Sequence, residues 1–193
     1  MITGELKNKI DGIWDIFWSS GMTNPLTVIE QITYLMFIKI LDDNELRKEA
    51  NAAAFDMEVV DPIFDSEHQN CRWHNFRHYE ADAMFKNMTE KVFPFIKEEL
   101  NAGRDTAFAK YMKDALFLVP SARVLLRVVD ALDSLDLNNK DIMGDVYEYC
   151  LGLMSSAGAL GQFRTPRHIV DMMVELMGSK TDDKILPVFF PAK

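Results

Sequence analysis

Apolar residues recur along most of this chain at the three- and four-residue spacing of an amphipathic helix. In the first such stretch they fall at i, i+4, i+7, i+8 and i+11, which places them on one helical face. The members of that face are Leu6, Ile10, Ile13, Trp14 and Phe17. The sequence Ser19-Ser20-Gly21 predicts the end of this first helix.

A second helix is predicted to start at Asn24-Pro25, because asparagine suits the cap position and proline suits the first helical position. From Leu26 to Leu41 this helix is apolar on nearly every side, which is typical of a helix surrounded by others. The charged run from Asp42 to Glu49 then predicts that its end emerges into solvent.

Residues 51–80 lose this periodicity and are predicted to form a loop with one short helix. Helical spacing returns from Met84 to Ile96, where Pro94 is expected to kink or divide the element. Two more helices are predicted, one opened by Pro120 and one spanning Asp141 to Met154. Their buried stripes are Val124, Leu125, Val128, Val129 and Leu132, and then Ile142, Val146, Tyr149 and Leu153. No alternating strand pattern precedes residue 180, so the predicted fold class is mainly α.

The amino-acid composition excludes several classes of protein. The 193 residues are 48% hydrophobic, which is enough for a folded core, and the net charge of -9 argues against a protein that binds nucleic acid by itself. Cys71 and Cys150 lie far apart and form no C-x-x-C pair, which favours a reducing compartment. No signal peptide or membrane-spanning run is recognisable, so a cytoplasmic protein without a membrane partner is expected.

One polar stretch carries residue types that ligate metals. Its candidates are His68, Cys71, His74 and His78. Structural zinc sites pair C-x₂₋₄-C with H-x₃₋₅-H, and this stretch lacks that pairing. A loop anchored by Trp73 and Phe76 is therefore the preferred interpretation, no metal ligand is assigned, and a metal-dependent helical protein remains the weaker alternative.

A second feature is the loop Gly161-Gln162-Phe163-Arg164-Thr165-Pro166. Thr165 stands where a helix cap belongs and Pro166 stands at the first helical position. A group held at this helix start would face backbone N–H donors at the positive end of the helix dipole. The loop therefore suits a carboxylate or a phosphate, although a plain surface cap is the alternative that the residues alone leave open.

Gly144-Asp145-Val146-Tyr147-Glu148-Tyr149, followed twelve residues later by that loop, resembles the modification (M) subunit of type I restriction-modification systems. This family of adenine-N6 DNA methyltransferases typically has an α-helical domain, a G-D-x-Y-E-Y stretch, a G-[QE]-F-x-T-P loop and a doubly wound α/β catalytic domain. The resemblance covers nearly the whole chain. It implies a multi-helix N-terminal domain over residues 1–160, and over 161–193 the cofactor loop, a helix and the truncated start of the catalytic domain.

The resemblance also implies residue roles. In the family the F-x-T-P loop lines the S-adenosylmethionine pocket, so cofactor contacts are expected from Gln162, Phe163, Arg164, Thr165, Pro166 and Arg167. The helix start would offer N–H donors to the methionine carboxylate, and Phe163 would supply an apolar wall. Asp145 and Glu148 are expected to be structural rather than acid-base groups, and no catalytic residue is assigned.

Two further motifs of the family, D-P-[AFC]-x-G-[ST]-G and N-P-P-[FY], do not occur in this sequence. The 193-residue chain is therefore expected to be truncated, inactive by itself, and unable to bind S-adenosylmethionine tightly. The family implies specificity (S) and restriction (R) subunits and a second modification subunit as partners, with DNA bound in the full complex and not by this fragment. A stand-alone helical protein-interaction module without catalytic activity is the alternative function.

Overall fold

The computed structural model describes residues 4–60, 62–99, 112, 114–135, 140–156 and 167–178. Every regular element in these ranges is helical, and no strand occurs within them. This confirms the mainly α fold class.

The first two helices follow the predicted pattern closely. Helix α1 spans Gly4–Ser19 and helix α2 spans Pro25–Ala54. Gly21, with φ of +91°, turns the chain between them, and the Asn24 Oδ1 accepts a hydrogen bond of 3.0 Å from the Leu26 N–H. The predicted face of α1 is confirmed, because Ile10, Ile13 and Phe17 are fully buried.

The end of α2 differs from the prediction. Its charged run was expected in solvent, yet the side chains of Asp42 and Glu45 are 0% and 1% exposed. The segment that follows α2 folds back over them and supplies hydrogen-bond donors. One of these is the Ile63 N–H, which lies 2.7 Å from Glu45 Oε1. The prediction is confirmed for Asn44, Arg47 and Lys48, which are exposed. It is wrong for the two buried acids, because helical periodicity identifies a face but not what covers it.

The segment after α2 contains a helical turn over Gln69–Cys71 and a short helix, α3, over Trp73–Phe76. This confirms a loop with a short helix, although residues 51–54 belong to α2. Trp73 and Phe76 are buried and meet edge to face, with ring centroids 5.4 Å apart. They anchor the segment on the core, as expected.

Helix α4 spans Ala81–Asn87 and continues through wider π-helical turns over Met88–Val92 and Phe95–Glu99. Pro94 stands between these turns. A proline lacks the N–H for an ordinary helical bond and crowds the carbonyl one turn earlier, so a wider register accommodates it. The chain stays helical across Pro94, so the element is not divided there, and the expected kink stays a prediction. The buried side chains of this element include Met84, Met88, Val92, Phe95 and Ile96.

Helix α5 spans Ala122–Asp133, with Ser121 as its cap, and its whole predicted stripe is buried. Helix α6 spans Lys140–Ser156 and helix α7 spans Arg167–Met177. Helix α5 packs against α1 and α4, while α6 packs against α2. One continuous apolar core therefore joins α1 through α6.

Helix α7 is different, because six of its large apolar side chains are between 43% and 79% exposed. They are Val170, Met172, Met173, Val174, Leu176 and Met177. None of the described helices is long and apolar enough to cross a membrane.

Candidate functional site

The predicted cofactor loop falls outside the residues that the structure describes. Gln162, Phe163, Arg164, Thr165 and Pro166 lie there, while Arg167 is the first residue of α7 and only its backbone is described. A helix thus follows the loop directly. The assignment of these six residues to the cofactor stays a prediction.

The G-D-x-Y-E-Y stretch lies on α6, where it borders a recess of about 280 Å³ between α6 and α2. The lining of the recess is almost wholly apolar. It consists of Ile29, Ile32, Thr33, Met36, Gly144, Val146, Tyr147 and Cys150. Burial, followed by the charge of Asp11, raises the pKa of the Cys150 thiol to about 12, which keeps the thiol protonated at neutral pH.

Another residue of the same stretch, Tyr149, reaches α1. Its hydroxyl donates a hydrogen bond to the Asp11 carboxylate. The Lys7 Nζ lies 2.7 Å from the Asp11 Oδ2 and 5.4 Å from the centre of the Tyr149 ring. Burial raises the pKa of Asp11, but the hydrogen bonds from Lys7 and Tyr149 outweigh it and hold that pKa below its usual value. The carboxylate is thus charged at neutral pH.

The two carboxylates of the stretch, Asp145 and Glu148, are half-buried on α6. Their residue spacing alone would allow a pair on one side of the helix. Their expected structural role stays a prediction.

The four possible metal ligands contact protein groups. The His68 ring stacks on Phe95 with centroids 4.6 Å apart, and its Nδ1 lies 2.7 Å from Asp65 Oδ1. Cys71 is buried, with its thiol directed to Asn70. These contacts hold the loop against the core.

The remaining two histidines are engaged in the same way. His74 Nδ1 lies 2.8 Å from Asp42 Oδ2, and His78 Nε2 accepts a hydrogen bond of 3.1 Å from Arg77 Nε. Within the described ranges no group of three or more His, Cys, Asp and Glu side chains is placed to hold a metal ion. The polar loop gains its order from packing and hydrogen bonds.

Sequence reasoning missed a buried charge cluster centred on Arg72, which is 4% exposed. The Arg72 Nε donates to Asp42 Oδ1 at 2.7 Å, and its two terminal nitrogens donate to the Glu49 carboxylate at 2.6 and 2.9 Å. One signal could have revealed it. Leu35, Ile38, Asp42, Glu45 and Glu49 continue one heptad-spaced face of α2, so the acids extend the buried stripe.

A second network joins α3 to α5. The Asp133 carboxylate accepts hydrogen bonds from Trp73 Nε1 at 2.9 Å and from Arg77 Nη1 at 2.9 and 2.7 Å. Burial raises the pKa of Asp133, but the bonds from Arg77 and then Trp73 lower it further than burial raises it. The net pKa lies below the usual carboxyl value.

The described residues do not by themselves fit S-adenosylmethionine. This cofactor is charged at its amine, carboxylate and sulfonium groups, and such groups need polar partners when they leave water. The α2–α6 recess offers mainly hydrocarbon. The other recess, of about 320 Å³ beside the end of α2, combines apolar side chains with Lys48 and Glu58 and is widely open to solvent. Neither recess forms a cofactor cradle.

Comparison with known protein families divides the chain between residues 132 and 138. The HsdM N-terminal domain family matches residues 6–132, and the N-6 DNA Methylase family matches residues 138–189. The first match covers the helical core up to the end of α5. The second match contains α6, the predicted cofactor loop and α7.

Two individual proteins resemble the chain over most of its length. The type I restriction enzyme EcoEI methylase subunit of Escherichia coli is 24% identical over 179 residues. That alignment covers 86% of this chain and 35% of the relative. A chain from a solved type I R-M system has a TM-score of 0.65 and 24% identity, covering 89% of this chain and 35% of its own. This structural likeness supports the helical fold.

Proposed function

Because this chain belongs to the HsdM N-terminal domain family, we propose that it provides the helical N-terminal domain of an adenine-N6 DNA methyltransferase subunit in a type I restriction-modification system. The observation that carries this proposal is the order of the two family matches on one chain. The first match covers helices α1 to α5, and the second contains the motif-bearing helix α6.

The methylase segment would contribute one rim of the cofactor pocket. When bound in the complete enzyme, S-adenosylmethionine supplies the methyl group. In this proposal the helix start after Pro166 presents N–H donors to the methionine carboxylate, Thr165 adds a hydroxyl, and Phe163 gives an apolar wall. Gln162, Arg164 and Arg167 complete the polar side of the loop.

The 193 residues alone are proposed to be inactive and to bind S-adenosylmethionine weakly. The sequence contains neither D-P-[AFC]-x-G-[ST]-G nor N-P-P-[FY]. The described recesses add no charged cradle that would replace those motifs. Isothermal titration of the purified chain with S-adenosylmethionine should show no binding in the micromolar range. A micromolar dissociation constant would contradict this part of the proposal.

The helical domain is proposed to support assembly of the modification subunit with a specificity subunit, a second modification subunit and a restriction subunit. Its net charge of -9 is consistent with a role in which other parts of the complex neutralise DNA phosphates. The chain by itself should therefore not shift a DNA duplex in a gel at physiological salt.

Co-expression tests the assembly directly. The chain is produced together with a tagged specificity subunit encoded in the same genome, and the complex is purified through the tag and sized by gel filtration. Co-elution of the two proteins is the expected result, and the tag alone provides the control. A chain that elutes separately, although it remains folded by circular dichroism, would favour the stand-alone interaction module instead.

A further inference from the structure

Helix α6 lies in the residues matched by one family, but it packs against the helices matched by the other. It lies wholly inside the residues matched by the methylase family, which begin at 138. Yet its Val146 and Cys150 are 1% and 2% exposed because they pack into the core of the helical body. The packing of apolar groups is non-directional, so these contacts attach α6 without fully specifying its position along the body.

A directional contact is made beside these apolar residues. Tyr149 donates its hydroxyl proton to the Asp11 carboxylate of α1, across 138 positions in sequence. Lys7, one turn before Asp11, bonds to the same carboxylate at 2.7 Å and lies over the Tyr149 ring. Three side chains from the first and sixth helices thus meet at one point.

We propose that Lys7, Asp11 and Tyr149 form a latch that sets the position of α6 on α1, and with it the point from which the methylase segment continues. That this segment belongs to a methyltransferase rests on the proposed function. The latch itself concerns only described residues of this chain. It gives the last tyrosine of the G-D-x-Y-E-Y stretch a positioning role that neither family match assigns.

Magnitudes indicate which contact in the latch matters most. The side chains of Lys7 and Asp11 are 45% and 36% exposed, and an exposed ion pair at this spacing on a helix contributes little. A hydrogen bond to a charged group from a partly buried donor contributes more. The low pKa of Asp11, which persists although burial raises it, agrees with a carboxylate held ionised by its two donors. Lys7 lowers the pKa of Asp11 more than Tyr149 does, but Lys7 lies on the same helix as Asp11. The bond from Tyr149 is the one that joins α6 to α1.

Hydrogen exchange of the whole 193-residue chain, followed by mass spectrometry, tests the latch. Tyr149→Phe and Asp11→Asn should each speed exchange in peptides from α6 by about tenfold, the effect of losing one charged hydrogen bond. Peptides from α4 and α5 should lose less protection, because α6 can open locally while the rest of the body stays folded. In the double variant, α6 peptides should exchange at about the same rate as in either single variant, because both substitutions remove the same bond.

Two variants serve as matched controls. Tyr147→Phe removes the hydroxyl of the neighbouring tyrosine, which is 47% exposed, and Asp15→Asn changes an exposed carboxylate one turn beyond Asp11. Both should leave α6 exchange unchanged. Lys7→Met should speed it by about twofold at most, since only the exposed pair is lost.

Several results would overturn the latch. They are unchanged α6 exchange in Tyr149→Phe, an equal effect in either control, or an equal loss of protection in α4 and α5. This experiment needs neither S-adenosylmethionine nor a partner subunit. A failed latch would therefore leave the co-purification result intact, and a failed co-purification would leave the exchange result intact.

Discussion

Arg72 shows how a single residue changes the interpretation of a whole segment. Its guanidinium lies in the interior between Asp42 and Glu49, both of which belong to the charged run of α2. A buried charge is tolerated when it is paired and fully hydrogen-bonded, but removing one partner leaves the other charge uncompensated. The ion pairs of Arg72 are thus needed because each buried charge requires a partner, and they add little net stability.

Arg72→Met is expected to lower the free energy of unfolding by about 3–5 kcal/mol, because it leaves the fully buried Asp42 without its cation. Urea denaturation followed by circular dichroism measures this loss. Arg47→Met, at an exposed position of the same charged run, is the control and should change the free energy by less than about 0.5 kcal/mol. Equal effects of the two variants would contradict the buried pair.

Asp133 predicts a pH dependence of stability. Its pKa in the folded protein is lowered, since the bonds from Arg77 and Trp73 outweigh the effect of burial. A carboxylate whose pKa is lower in the folded protein than in the unfolded chain stabilises the fold fully at pH values above its unfolded pKa of about 3.9. This stabilisation is lost as the pH falls through the pKa of the folded protein. The stability difference between wild type and Asp133→Asn should therefore be about 1 kcal/mol at neutral pH and shrink below pH 4.

Urea titrations at neutral pH and at about pH 3 measure that difference. The matched variant is Arg77→Met, which removes the main donor and should reduce stability by a similar amount. The double variant should lose little more than either single one, because they share one interaction. A difference that stays constant or grows as the pH falls would contradict the assignment.

At the scale of elements, the long helix α2 depends on how it begins. Asn24 is in extended backbone geometry and its side chain accepts bonds from the N–H groups of Leu26 and Thr27. Pro25 follows at a position that needs no donor. These two residues stop the helix from extending backwards into the turn at Gly21.

Asn24→Ala should reduce the free energy of unfolding by about 1 kcal/mol, because two N–H groups at the helix start lose their acceptor. Thermal denaturation gives the change. Asn24→Ser keeps an acceptor and should retain most of the stability. Asn44→Ala, within the exposed part of the same helix, tests whether loss of any asparagine has this effect, and a loss equal to that of Asn24→Ala would disprove the cap.

At the scale of the whole molecule, the single core is the main result. It runs from α1 to α6 and crosses the border between the two family matches. In urea, helix α6 is therefore expected to unfold together with the helical body. The predicted domain boundary between residues 160 and 161 is consistent with this packing and stays a prediction.

Val146→Ala should destabilise the entire body by about 1–3 kcal/mol, because it opens a cavity at a side chain that is 1% exposed. Far-UV circular dichroism and tryptophan fluorescence should shift together to the same lower urea midpoint. Val170→Ala on α7, where the side chain is 43% exposed, is the control and should leave the midpoint nearly unchanged. Separate midpoints for the two signals would show that α6 unfolds independently.

The buried stripes of α1, α4 and α5 followed directly from sequence, since an apolar residue every third or fourth position determines which side of a helix avoids water. The Asn24 cap also followed, because it depends on backbone chemistry within a few residues. The motif pair around α6 identified the family. The cofactor residues lie outside the described residues and remain predictions from that resemblance.

The partners of charged residues were decided only by the tertiary structure. Sequence placed Asp42 and Glu45 in solvent, and it directed attention to His74 as a possible metal ligand. In the fold, Arg72 and His74 come from a distant loop to meet Asp42, and Tyr149 comes from α6 to meet Asp11. Local pattern determines the helices because their bonds are local. Long-range polar contacts depend on how the helices are assembled, and no short stretch of sequence encodes that assembly.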